Sequence, residues 1–113
     1  MNGLQGKQLT VANQYVEVAV MPDASEVSYG TMSIMAVNLD ANTDATIRVA
    51  LTTNAGNPAA LDHIEHGAQI PSAGGKYREE CILVSPGERV LVWSDVSGIP
   101  IRVAAVFEAV VTP

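Results

Sequence analysis

The sequence predicts an all-β fold: a single antiparallel β-sandwich of about seven strands. Three observations carry this. Runs rich in β-branched residues alternate with period two, clusters of Pro, Gly, Asn and Asp interrupt them about every dozen residues, and no stretch shows a convincing helical period. The absence of a Cys…Trp…Cys pattern removes the immunoglobulin hallmark, and jelly-roll and Ig-like strand orders are not distinguishable at this level.

The segment 61–94 is the most legible. Pro86 and Gly87 suit the two corners of a turn, because proline presets φ and glycine supplies a positive one. Lys76–Val84 and Arg89–Ser94 are therefore expected to be adjacent antiparallel strands. A second reversal at Pro71–Gly75 brings in Asp62–Ile70, and together the three strands read as a meander. Upstream, Val16, Val18 and Val20 alternate with Tyr15, Glu17 and Ala19 in a half-buried strand closed by Met21–Ala24. Ser28–Leu39 is apolar on both faces. Across the polar turn Asp40–Asp44 it is expected to form a hairpin with Ala45–Thr52, where Ile47, Val49 and Leu51 share a face. Thr53–Pro58 reads as a surface loop, and Ala59–Leu61 as one short helical turn at most. After a turn over Asp95–Pro100, residues 101–111 form a last strand with Ile101, Val103, Ala105 and Phe107 on one face.

A chain of 113 residues forms one domain, 1–113, which buries about 65% of its extended surface and has room for one core. Residues 1–7 read as a mobile N-terminal arm or a short connecting strand, and 108–113 as a C-terminal extension. Net charge of −6 without basic clustering excludes binding through phosphate neutralisation, so nucleic acid is not an expected partner. No apolar run approaches the roughly 20 residues that span a bilayer, and no basic segment followed by an apolar core opens the chain. The expectation is a soluble intracellular product, made without membrane or cofactor. Cys81 is alone, with Ile82-Leu83-Val84 after it and no adjacent His or Lys, which favours a structural thiol.

Candidate chemistry is sparse. Asp62, His63, Glu65 and His66 form the densest ionisable cluster, but a regular strand points His63 and His66 to opposite faces, and a solvated edge is favoured over a metal site. By the same alternation Glu79 and Glu80 are not an acid–base pair. A cross-strand ion pair between Arg78 or Glu80 and the following strand is expected instead. Ser72–Lys76 lacks the phosphate-binding spacing and reads as a turn. With five aromatic residues in the chain, Trp93 is expected in the core rather than on a sugar platform. No catalytic, metal or cofactor-binding constellation emerges, and an enzyme is not expected. The surplus is apolar: residues 32–37, 81–84, 90–93 and 103–111 carry apolar side chains on both faces, which points to an interface unless loops cover them.

Gly3-Leu4-Gln5-Gly6-Lys7, the phrase Tyr15 to Pro22, the run Ala45 to Ala50, and Asp62-His-Ile-Glu65 through Ala73-Gly-Gly75 to Pro86-Gly-Glu88 together resemble a group of small virion proteins of tailed bacteriophages. That group carries a Tyr-Ile-Glu-Tyr-like phrase before an Ala-Gly-Gly turn. This chain departs from it at His63 and His66, where aromatic residues are usual, and in its apolar end after Glu108. The resemblance implies a virion structural part on the capsid surface, a decoration or cement protein made in the host cytoplasm. Its partners would be itself, as a trimer or other cyclic oligomer, and the major capsid protein or other virion proteins. Leu4 and Lys7 in the arm and Val110 and Val111 in the last strand are the expected contacts. A tail, neck or baseplate part is the near alternative, and a host- or glycan-binding module using Tyr77 or Trp93 on exposed loops is the alternative of another class.

Overall fold

The computed structural model describes residues 2–25, 27–54 and 56–109, without the side chains of residues 2, 3, 108 and 109. Eight strands are present: β1 (Asn2–Leu9), β2 (Tyr15–Val20), β3 (Val27–Asn38), β4 (Ala45–Thr52), β5 (His63–Ile70), β6 (Gly75–Val84), β7 (Arg89–Ser94) and β8 (Ile99–Ala109). A single 3-10 turn at Ala60–Asp62 is the only helix among the described residues. The strands form two four-stranded antiparallel sheets, one ordered β1-β8-β3-β6 (sheet A) and the other β2-β7-β4-β5 (sheet B). This order is that of a jelly roll.

The β-sandwich expectation holds, and three parts of it are corrected. The segment read as an arm or a short connecting strand is not an arm but belongs to strand β1, paired along its whole length with β8. No meander forms over 62–94, because β5 and β7 lie in sheet B while β6 lies in sheet A against β3. The expected hairpin of 28–39 with 45–52 is also replaced by a crossing, since β3 belongs to sheet A and β4 to sheet B. The turn formers marked the reversals from β2 onward correctly, but not the one between β1 and β2. What local sequence does not encode is whether a reversal returns within a sheet or crosses to the facing one, since both need the same φ and ψ at the corner. Only β4 and β5 are consecutive in sequence and paired.

Alternation fills the space between the sheets. Ile34 and Ala36 of β3, Ile47 and Val49 of β4, Val90 and Val92 of β7, and Ile101 and Val103 of β8 are all buried there, with Leu9 and Ile70 at strand ends. Gly30 is needed where β3 crosses β8, because a Cβ there would stand 2.1 Å from the carbonyl oxygen of Val106.

The reversals between sheets are closed by polar side chains. Asn38, fully buried at the end of β3, donates its amide to Thr43 O at 2.8 Å and to Ile70 O at 3.0 Å, and its Oδ1 accepts from Asp40 N at 3.0 Å. Asp40 Oδ1 accepts from Asn42 N and Thr43 N, and these backbone bonds hold its carboxyl below the ordinary value of 3.8. Asp44 and Asp95 accept from Ser72 N and Thr46 N. Asn38→Ala leaves two carbonyls at the sheet junction without their donor. The expected loss is about 3 kcal/mol, read as a lower urea midpoint with an unchanged slope.

Candidate functional site

The two outer faces of the sandwich differ in chemistry. On sheet A the outward residues form rows across three or four strands: Val106, Thr31 and Leu83 in one, Leu4, Ala104 and Ser33 in the next, then Gly6, Arg102, Met35 and Arg78. Small residues down the middle leave shallow depressions, and large apolar side chains stand around them: Leu4 (61% exposed), Tyr29 (70%), Leu83 (72%) and Val106 (59%). Lys76, Arg78 and Arg102, half of the chain's six cations, share this face, and Glu80 is the one carboxylate among its described side chains. A chain of net charge −6 therefore concentrates positive charge on its most apolar surface.

Two features of this face depart from expectation. Arg78 Nε meets Glu80 Oε1 at 3.1 Å within β6, not across to the following strand, which lies in the other sheet. Cys81 is exposed, not packed as a structural thiol. A bulge places Glu80 and Cys81 together opposite Ser33, and Cys81 takes a left-handed φ of 58° that turns it out of the alternation.

Leu4 lies on this face beside Ala104, its register partner on β8. Lys7 is directed elsewhere: its Nζ donates to Glu17 O of β2 at 3.3 Å. Gln5 does the same more fully, donating to Val20 O and accepting from Val20 N. These side chains lace the edge of sheet A to the edge of sheet B. Val110 and Val111 lie outside the described residues.

The outer face of sheet B is polar and aromatic. Tyr15 and Trp93 are register partners on β2 and β7, and Trp93 and Arg48 on β7 and β4. The Arg48 guanidinium carbon stands 4.1 Å from the Trp93 ring centroid, a cation–π contact. Trp93 is thus half-buried on an outer face rather than in the core. An irregularity in the β4–β5 pairing at Ile64, between the two residues, brings His63 and His66 to the same side, and a second follows at Gly67 with φ of 112°. Their ring centroids are 5.0 Å apart, against the opposed projection that a regular strand predicts. His63 Nδ1 faces Ala59 O at 3.0 Å and so carries the proton, and Nε2 accepts from the Tyr15 hydroxyl at 2.6 Å. Among the described residues no group of three or more His, Cys, Asp or Glu side chains is placed to hold a metal ion.

The loop from Thr53 to Asp62 folds back over this face. Arg89 donates to the carbonyls of Asn54 and Gly56, and Ala50 and Leu91 become buried although they point outward. The loop is thus held against sheet B by Arg89, whereas nothing in the described chain covers sheet A. Asn57 of the loop, with Asn13, Gln14, Tyr15 and Trp93, lines a cleft of about 420 Å³. Tyr77 is on neither outer face: it is buried, with no hydrogen-bond partner for its hydroxyl, and burial, then Glu79 and Glu65, raise its pKa above 10.0. Comparison with known protein families found no match, and comparison with curated protein sequences found none either.

Tyr77→Phe removes a buried hydroxyl that has no partner, so the variant is expected to be as stable as the parent or more stable by about 1 kcal/mol. In the parent the unfolded phenol ionises first. Stability is whole below the unfolded pKa of 10.0 and falls as pH rises beyond it. Urea titrations at pH 8 and above 10 should show that fall, smaller in the variant. Cys81 is expected to react stoichiometrically with a maleimide in the native protein, and intact mass after labelling without denaturant checks it.

Proposed function

We propose that the chain is a structural protein of a tailed-bacteriophage virion, a capsid decoration or cement protein that docks through the outer face of sheet A. The observation that carries the reading is that uncovered face, where exposed Leu4, Tyr29, Leu83 and Val106 surround shallow depressions and basic residues gather on an otherwise acidic chain. The resemblance to small virion proteins and the jelly-roll order, an architecture used by viral capsid domains among others, support it as analogy.

The action is passive. Each docked copy buries apolar area worth about 25 cal/mol per Å², and a ligand that binds only the assembled shell stabilises it by mass action. The charge pattern bears on symmetry. A twofold contact of sheet A on sheet A sets Lys76, Arg78 and Arg102 against their own copies, which like-charge repulsion disfavours. A heterologous contact with an acidic surface matches the pattern, and this includes the contacts of a cyclic trimer.

Two measurements test the reading. Gold-antibody labelling of purified virions is expected to decorate the head. Label on the tail moves the protein to a tail, neck or baseplate role, and a virion without label overturns the proposal. Leu83→Asp changes an exposed side chain on the docking face, so the fold should persist while co-sedimentation with purified shells weakens at least about tenfold, or 1.4 kcal/mol.

A further inference from the structure

The cleft on the outer face of sheet B belongs to neither the core nor the docking face. Tyr15 and Trp93 stand side by side on adjacent strands, and each is held from behind: Tyr15 by its hydrogen bond to His63, Trp93 by the Arg48 guanidinium against its ring. His63 is itself fixed, through Nδ1 to Ala59 O and by the ring of His66. Three carboxamides, those of Asn13, Gln14 and Asn57, complete the lining. Asn13 is set at the rim by a left-handed φ of 60° and by its N–H donating to Ser94 O at 2.7 Å.

We propose that this cleft is a binding subsite for an uncharged saccharide. A pyranose presents apolar C–H faces and an edge of hydroxyls. The faces pack on aromatic rings, and the hydroxyls, both donors and acceptors, match carboxamides, which offer two donors and an acceptor each. None of the five lining residues is charged, so the lining offers no counter-charge to an anionic ligand. The one cation stacked here, Arg48, is engaged with the indole. A volume of about 420 Å³ lies toward the small end of ligand sites, which suits one or two sugar rings rather than a long segment. Rings immobilised before the ligand arrives also reduce the ordering cost of binding.

The arrangement separates two jobs on opposite faces. The docking reading needs sheet A, the saccharide reading needs sheet B, and either stands if the other fails.

Trp93 is the only tryptophan in the chain, so intrinsic fluorescence reports on the cleft directly. The full chain is titrated with glucose, galactose, mannose, N-acetylglucosamine and their neutral oligomers. The expected result is a saturable change with at least one of them at a Kd of about 1 mM or tighter. Asn57→Ala, on a loop and outside the core, should weaken that affinity at least about fivefold with an unchanged urea midpoint, and Leu83→Asp on sheet A should leave it as in the parent. No saturable response to any neutral saccharide up to about 100 mM overturns the proposal. So does saturation by anionic sugars or short peptides alone, or an Asn57→Ala variant that binds as tightly as the parent.

Discussion

Asn38 joins the two sheets at the point where the chain repeatedly crosses between them. It ends β3 in sheet A, yet its amide donates to backbone on the approach to β4 and at the end of β5, both in sheet B. The need for it follows from the topology. A hairpin satisfies its turn with the ladder of its own two strands, whereas a reversal that crosses between sheets has no such ladder, and buried backbone groups must still be paired. Side chains supply those bonds. Asp40, Asp44 and Asp95 accept from backbone N–H groups across three loops at one end, and Ser94 and Thr52 clip the turns after β7 and β4. The many Asp, Asn, Ser and Thr residues between strands are therefore a consequence of crossing.

This also explains which parts of the fold were legible. Period-two alternation located seven of the eight strands, and Pro, Gly and Asx clusters located the reversals, because both are local properties of the chain. Pairing is not local. Lys76–Val84 and Arg89–Ser94 look like a hairpin joined by Ser85-Pro86-Gly87-Glu88, and that turn does close, with Glu88 N donating to Ser85 O, yet the strands part into different sheets. Strand β1 was left open between an arm and a short strand because its glycines and glutamines dilute any pattern. Its order comes from eight residues of pairing with β8 and from side chains that reach across to β2.

The site was less legible because bulges reset side-chain direction. Strict alternation separates His63 from His66, while the irregularity at Ile64 brings them together beside Tyr15. The bulge in β6 likewise presents Cys81 to solvent inside what reads as an apolar run. Gly67 was a visible hint of the irregularity that follows His66, since glycine inside a strand pattern often marks a bulge, but nothing marked the one at Ile64. Trp93 lies outside the core because Val90 and Val92 of the same strand point between the sheets and alternation turns Trp93 outward; with apolar residues in both rows of β7, the sequence does not say which row faces in.

An antiparallel sandwich ordinarily keeps both outer faces polar, because only the inner faces need burial. Here the two faces have diverged. The long loop between β4 and β5 lies along sheet B and lines a polar, aromatic cleft with Tyr15 and Trp93, while no described element covers sheet A, which gathers cations among its exposed apolar residues. Those cations limit indiscriminate self-association, since two copies meeting face to face repel, but they favour an acidic partner surface. Edge pairing is limited by a different device on one side, where Gln5 and Lys7 occupy backbone groups of β2 that a foreign strand would otherwise use. A protein that must stay dispersed until it meets a specific lattice needs this combination of an apolar face for affinity and charge for selection, and on the proposed reading both reside on sheet A.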